Sequence, residues 1–554
     1  MSASDKKKLR KEQAAAFLTE KQQKEQAEAK KLKTYTITFV TAMILVVCIA
    51  LGVLGVRAVN HSGILQRNTI AATIGDKEFN SVELSYYYND AISDFYNEWY
   101  SQYNTYTDTY LQAMGLDPTK PLNDQMYDQE TGKTWAMYFV DTAIANAKND
   151  IALYELAVKE DFKLPENEQT TLDNSVKNIE TYAKLYGYKN ADQYLRAMYG
   201  YGSDAESYSE YTRRSTIADA FYKAHNDDLK YDDAAIREYE KDKVNKYNSY
   251  TYSYAYLSYT DFREGGKKDD KGNVTYTEEE NKAAREAMKT AAELLATATS
   301  VDDLKEKIKT VKVNEKSELA VNKEDALLHS SINAALADWL ASADRKEGDI
   351  AAIANSSTTK GEDGKEVTTT NGYYVAIFHS KTDNTKKMSN VRHLLVQFKG
   401  GTKDETTGET VYSEKEKTEA RTKAEGFLKT WKEGEKANEE TFIELVKKNS
   451  DDSSAKEGGL FEDIHPDSSY VEPFLNWSID PARKAGDTSV IETVYGYHVM
   501  FYVGDDDMTY RDYMITNEMR TADQQKWYDG VLEPIKTSVG DTSKLDLDLI
   551  LSAG

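Results

Sequence analysis

Twenty-three consecutive residues, Thr34 to Val56, carry no charge. Wound as a helix they reach about 35 Å, enough to cross a hydrocarbon core of about 30 Å. The preceding residues 1–33 hold ten basic and five acidic side chains, a local balance of +5, and only Arg57 follows closely on the far side. That asymmetry places the N-terminus in the cytoplasm and the bulk of the chain outside. A cleaved signal would have an apolar region of about 7–15 residues and a small-x-small site. The run is longer than that, and Arg57-Ala58-Val59-Asn60 makes a poor cleavage site, so the expectation is an uncleaved anchor in the cell membrane. Cys48, the single cysteine, sits mid-run after a valine and reads as a small apolar residue of that helix.

With the whole chain at −24, the remainder after residue 33 carries −29. Such a balance repels phosphates and excludes nucleic acid as a partner. A length of 554 residues accommodates about three or four domains. Forty tyrosines against fifteen phenylalanines suit wet, adaptable binding surfaces, although compositional bias in a helical protein explains them equally. No calcium-loop, phosphate-loop, metal-ligand or nucleophile spacing occurs, so neither metal nor cofactor is expected.

From Thr69 the pattern is that of a folded domain. A strand to Ile74 and a Gly75-Asp76 turn precede a tyrosine-rich helix starting at Val82. A long helix is predicted over Thr134 to Glu160, with Ala143, Ala145, Ile151, Leu153, Leu156 and Ala157 turned inward. Pro165 and Glu166 open the next, and helices continue over Ala191–Met198 and Tyr208–Tyr239.

An internal repeat organises the second half. Phe262, Gly265, Lys267, Gly272 and Tyr276 answer Phe398, Gly401, Lys403, Gly408 and Tyr412 at an offset of 136. Trp339, Arg345-Lys346 and Gly348-Asp349 answer Trp477, Arg483-Lys484 and Gly486-Asp487. Gly372-Tyr373-Tyr374-Val375 answers Gly496-Tyr497-His498-Val499. The frame is kept and the chemistry is lost: His393 aligns with Leu257, His498 with Tyr374, and no glycine pair answers Gly458-Gly459. The first copy also carries an extra loop, Asn355 to Thr370.

The second copy holds a distinctive set. Val391-Arg392-His393-Leu394-Leu395-Val396 reads as a strand, with helices following at Glu414–Lys432 and Glu440–Lys448. Then come Ser450-Asp451-Asp452-Ser453-Ser454-Ala455-Lys456-Glu457-Gly458-Gly459, Tyr470-Val471-Glu472-Pro473-Phe474, and the strand Gly496-Tyr497-His498-Val499-Met500-Phe501. In this order they resemble the parvulin family of peptidyl-prolyl cis/trans isomerases over about 115 residues. The strand-and-helix pattern before it resembles, more weakly, the chaperone region of PrsA/SurA-type foldases.

The resemblance implies an α+β protein: a basic tail (1–33), an anchor (34–56), a helical SurA-N-like chaperone region (66–244), a degenerate parvulin-like domain (245–380) and an intact one (388–505). A C-terminal helix, Asp507 to Ile535, and tail (506–554) would return to complete the chaperone region. Each parvulin-like domain would be FKBP-like, a small antiparallel sheet with helices. By the same resemblance His393 and His498 lie adjacent on central strands with Thr493 completing their hydrogen bonds, and Asp452 stands near the substrate carbonyl. Leu460, Tyr470 and Phe474 line the proline pocket, Tyr470 where the family commonly has methionine. His465 has no assigned role.

The expected function is an anchored extracytoplasmic isomerase and chaperone acting on X-Pro segments of unfolded or partly folded secreted polypeptides. The alternative is a non-catalytic holdase in which both parvulin-like domains bind clients. A homo-oligomer is compatible with the sequence.

Overall fold

In a computed structural model, which describes residues 2–16, 20–268, 274–360, 364–404 and 408–551, the uncharged run lies inside one long helix, Glu20–His61. Within it Ala27–Ile49 is long and apolar enough to cross a membrane. The basic tail is helical as well, at Ala3–Ala16. The described chain divides into two compact units. One runs up to Leu229 and resumes at Asp523; the other is Lys230–Ala522.

The first unit is built on a three-stranded antiparallel sheet ordered Thr537–Val539, Ile70–Ile74, Lys77–Asn80. Gly75 turns the hairpin at φ +58°, a conformation that suits glycine. Asn80 then caps the helix Ser81–Tyr103. Its side chain accepts from the amides of Val82 and Glu83 while Glu83 reaches back to the cap amide, the reciprocal pairing that fixes a helix start. Tyr86, Tyr87 and Tyr88 are all buried, so this helix is packed around most of its girth. Burial forces partners on the hydroxyls of the first two: Tyr86 meets Ser207 Oγ at 2.8 Å and Tyr87 donates to Asp150 at 3.1 Å.

The helix Trp135–Lys159 packs beside it. Its inward face is Ala143, Ile144, Ala147, Ile151 and Leu153; Ala145, expected inside, is exposed. Alanine is nearly indifferent to burial, and the 3.6-residue period set by Ile144 and Ile151 turns Ala145 outward. The single helix expected over Tyr208–Tyr239 is two, Ala205–Asp228 and Asp233–Glu240, the second capped by Asp232. That second helix belongs to the other unit, Lys230–Ala522. The physical reason is Arg511. Its guanidinium is buried, pairs with Glu240, and donates to Asn248 Oδ1 at 2.9 Å and the Val244 carbonyl at 2.6 Å.

The C-terminal segment does return to the first unit. The helix is Tyr510–Leu532, residues 507–509 still belonging to the preceding strand. Trp527, Tyr528 and Val531 pack with Leu153 and Phe221. Beyond it, Ala72 pairs with Val539, Leu545 is buried in the main core, and Leu549 O accepts from Leu122 N.

The second unit contains the repeat as two four-stranded antiparallel sheets of one topology. In the first copy the order is Asn322–Leu328, Ser249–Ser258, Glu366–Thr382, Ile350–Lys360; in the second it is Leu460–Ile464, Lys387–Gln397, Gly496–Thr509, Thr488–Thr493. Shared turns accompany the shared order. Arg345 stacks on Trp339 as Arg483 does on Trp477, at 4.0 and 4.7 Å. The Gly348 amide donates to Phe378 O and that of Gly486 to Tyr502 O, each at 2.8 Å.

Three details of the repeat differ from expectation. Tyr254 pairs with Ala376 as His393 pairs with Met500, and Tyr256 with Tyr374 as Leu395 with His498. The counterpart of His393 is therefore Tyr254. Leu257 lies on the opposite face, in the helix-side core. A 3-10 turn, Tyr259–Phe262, lengthens the first copy there, so one offset cannot serve both strand and turn. Gly266, against Val274 and Tyr276, matches Gly401, against Thr410 and Tyr412, where the sequence had aligned Gly265. Of the expected loop Asn355–Thr370, residues 355–360 and 366–370 are paired antiparallel strand. Gly272 and residues 361–363 lie outside the described residues.

Leu545→Ala should remove a core contact that closes the first unit, at a cost of about 2–4 kcal/mol. Amide hydrogen exchange in Ile70–Ile74 reads this out as faster exchange, and unchanged protection there would contradict the packing described.

Candidate active site

Lys387–Gln397 and Gly496–Thr509 pair antiparallel, His393 opposite Met500 and Leu395 opposite His498. The two histidines are therefore diagonal neighbours on one face, within reach of each other. Their rings stack with centroids 5.0 Å apart, and the two Nδ1 atoms are 2.9 Å apart. Both are buried, at 2% and 5% exposure.

The segment after Asn449 is laced to the edge of that strand. Ser450 Oγ accepts from Leu395 N at 3.0 Å, Asp451 N donates to Leu395 O at 2.9 Å, and Asp451 Oδ2 accepts from Gln397 N at 3.1 Å. Asp452 is thereby held beside His393, its Oδ1 3.6 Å from Nε2. It also accepts from Ser454 N at 2.9 Å and from Ser454 Oγ at 2.5 Å.

Two glycines close this arrangement. The carbonyl of Gly459, a residue at φ +66°, accepts from His393 N at 2.9 Å. A Cβ there would sit 2.2 Å from His393 O, so only glycine lets the chain lie this close. Gly458, at φ +71°, ends the 3-10 turn Ser453–Glu457. Arg392 secures the bend from behind, donating to Gly458 O at 3.1 Å and to Glu439 at 2.8 Å.

The polar atoms form one continuous chain. Thr493 Oγ1 lies 2.9 Å from His498 Nε2, and His393 Nε2 lies 3.4 Å from Ser454 Oγ. With Asp452 ionised and Ser454 O–H donating to it, His393 Nε2–H faces the acid and the serine. Of the two facing Nδ1 atoms one donates and the other accepts, and Thr493 Oγ1, which also reaches Gly496 O at 3.4 Å, closes the far end of the chain. Burial, reinforced by the neighbouring His393 ring and opposed by Asp452, lowers the His498 pKa to about 3. The facing His393 ring, with Ser454, holds the Asp452 carboxyl well below the usual carboxylate range against a smaller desolvation effect.

A cleft of about 330 Å³ opens on this chain, lined by His393, Leu395, Asp452, Phe461, Tyr470, Phe474 and His498, with Gln397 and Tyr495 among its other walls. Phe461 stands edge-on to His393 at 4.9 Å, and Phe474 at 5.4 Å. Tyr470 lies 5.5 Å from Phe461 and 5.3 Å from Phe474. Of the residues expected from sequence, the structure brings His393, Asp452, His498, Tyr470 and Phe474 to one cleft, with Thr493 directly behind it. Leu460 is not among its lining residues. Its strand neighbour Phe461 takes the place, because alternate residues of a strand face opposite sides. Ser454 was also missed, although it lies inside the quoted motif. His465 stands apart, stacked on Tyr510 at 4.3 Å. Among the described residues no group of three or more His, Cys, Asp or Glu side chains could hold a metal ion.

A family model of the PPIC-type PPIase domain matches residues 373–503. PrsA from Bacillus subtilis is similar in structure at 15% identity, covering 73% of this chain and 90% of that one with a TM-score of 0.28. Foldase protein PrsA from Streptococcus pneumoniae is similar at 11% identity, with 70% and 82% covered and a TM-score of 0.20. A SurA-like chaperone of Campylobacter jejuni stands at 12% identity, 69% and 89% covered, TM-score 0.16. Scores this low carry no weight for the arrangement of the whole chain. No curated protein matches the sequence.

The depressed His498 value sets a pH window. The folded group takes up its proton near pH 3 whereas the unfolded one does so near 6.5, so stability is full above 6.5 and is lost as pH falls towards 3. From pH 7 to pH 5 the loss is about 2 kcal/mol. Asp452 acts in the same direction, but only below its unfolded value near 4. Asp150 in the first unit, raised to about 6 by burial, has the opposite sign, so the comparison needs a variant. Urea unfolding of His498→Gln should show a flatter pH dependence than wild type between pH 7 and 5. Parallel curves would contradict a neutral buried His498.

Proposed function

The chain belongs, through its PPIC-type domain, to the parvulin peptidyl-prolyl isomerases, and from that premise we propose which residues act and where. Rotation about a peptide bond faces a barrier of about 18–20 kcal/mol because resonance holds the amide planar. For X–Pro the two isomers lie close in energy yet exchange over tens to hundreds of seconds. The catalyst therefore needs no nucleophile; it must favour the twisted amide over the planar one.

In our reading Phe461, Tyr470 and Phe474 grip the proline ring and exclude water. Asp452 lies near the substrate carbonyl and acts through its field. The planar amide owes its stiffness to a contribution with negative charge on oxygen, and a fixed carboxylate beside that oxygen disfavours it. Twisting removes that charge, so the acid costs less in the transition state than in the ground state. No covalent step is needed. His393 and His498, locked between Thr493 and Asp452, orient the acid and keep the floor of the cleft rigid; they transfer no proton. The observation that carries this reading is a single chain of contacts, Thr493 to His498 to His393 to Asp452, opening on one aromatic cleft.

The uncharged run within the long N-terminal helix supports membrane anchoring, with the N-terminus cytoplasmic and unfolded secreted polypeptides as clients on the outside. A holdase reading draws on the first copy, where Tyr254 and Tyr374, 5.8 Å apart, stand in place of the two histidines.

Isomerisation of Xaa-Pro peptides by the full chain in detergent tests these roles. Asp452→Asn should lower kcat/KM at least about tenfold, or ~1.4 kcal/mol, while Tyr374→Phe in the first copy leaves it unchanged. No wild-type rate above the uncatalysed exchange would sink the catalytic reading in favour of the holdase.

A further inference from the structure

The long N-terminal helix does not lead into a free linker. Gly63, directly after it, lies against Gly202, and a Cβ on Gly63 would be 2.2 Å from the Gly202 Cα. Both are at positive φ, +71° and +96°. His61 touches Tyr201 with ring centroids 4.7 Å apart, and Arg67 donates to the Gly202 carbonyl at 2.7 Å and pairs with Asp204. The end of the helix is thus clamped to the turn that follows the helix Ala191–Tyr199.

The clamp fixes a height. From Val56, the last residue of the uncharged run, to His61 is five residues, about 7–8 Å of helix, close to the thickness of one headgroup layer. Tyr201 therefore stands at the level of the lipid headgroups if the run fills the hydrocarbon.

From Tyr201 an exposed apolar stripe leads away. Met198 is 50% exposed and follows Tyr194 by one helical turn; Tyr194 stacks on Tyr186 at 6.0 Å, and Tyr182 is one turn before that. Leu185 and Tyr186, at 72% and 65% exposure, are among the most exposed large apolar side chains of the first unit. An exposed stripe of this kind is the signature of a contact surface, and tyrosine is the residue favoured where apolar and aqueous phases meet. Residues 182–201 hold Lys184, Lys189 and Arg196 against Asp192 alone, a local +2 in a chain at −24. That sign suits anionic lipid and is opposite to the net charge of the chain.

We infer that the face formed by Tyr182, Leu185, Tyr186, Met198 and Tyr201 lies on the bilayer surface, so that the first unit is seated on the lipid and not tethered above it. The inference rests on the anchor reading above. It is tested with the full chain in nanodiscs of phosphatidylglycerol and phosphatidylcholine, in a Cys48→Ala background. Nitroxides are placed at Leu185→Cys or Met198→Cys, with Val46→Cys inside the run and Val158→Cys, on another exposed face of the first unit, as references. An unchanged thermal unfolding profile and unchanged amide-exchange protection in Ile70–Ile74 show that the first unit of each variant folds. The labels at 185 and 198 should lose collisions with a water-soluble nickel complex and gain them with oxygen, while Val158→Cys does not.

If 185 and 198 behave like 158 while Val46→Cys reports hydrocarbon, the anchor stands and the seating is wrong. If Val46→Cys reports water, the anchor itself fails and the seating falls with it. Shielding that appears only on adding an unfolded polypeptide would make the face a client surface. Spin–spin broadening that grows with protein per disc would make it an interface between copies. Either result overturns the lipid assignment.

Discussion

The ladder between Lys387–Gln397 and Gly496–Thr509 is the constraint on which the rest depends. It makes neighbours of two histidines 105 residues apart, and no local propensity could do that. Because the pairing is antiparallel, a slip of one residue would send one ring to the helix side of the sheet. Register is protected by what lies on that side: Leu394, Val396, Val499 and Phe501 fill one core with Phe442 and Trp431. The apolar pattern of one face thus sets the chemistry of the other.

The degenerate copy shows how far frame and chemistry separate. Its ladder, its Trp–Arg stack and its Gly–Asp turn match those of the intact copy, yet the polar chain is gone. A tyrosine can occupy the place of either histidine because the half-buried position asks for a flat ring with a polar edge. It cannot replace the pair, since two phenols beside each other offer no equivalent of an imidazole chain ending on a fixed acid. Shape is conserved by packing, and packing is indifferent to which ring carries nitrogen.

Much of this was legible in the sequence because the signals were redundant. His393, His498 and Asp452 were each marked by flanking residues with their own structural duty: Gly459 against the His393 backbone, Ser450 and Asp451 on the strand edge. What failed was counting. The resemblance implies Leu460 for the pocket, whereas Phe461 lines it, since Gly458 and Gly459, both at positive φ, precede a strand whose alternation the motif does not fix. Leu257 was matched to His393 because Tyr259, Thr260 and Asp261 enter the first copy between strand and turn. Asn355–Thr370 looked like a loop from its serines and threonines. Threonine is also a strand former, and here Thr358 and Thr368 pair across the two strands with their hydroxyls 3.0 Å apart.

The electrostatics of the cleft follow from burial, not from charge count. In a chain this acidic, one carboxylate more or less on the surface is screened within about 10 Å. Asp452 is different because its neighbours are two buried rings and a wall of aromatic groups, which screen poorly. The depth at which His498 is buried, and the hydroxyl of Thr493 that satisfies it there, together hold the ring neutral and leave the charge of Asp452 as the dominant one in the cleft.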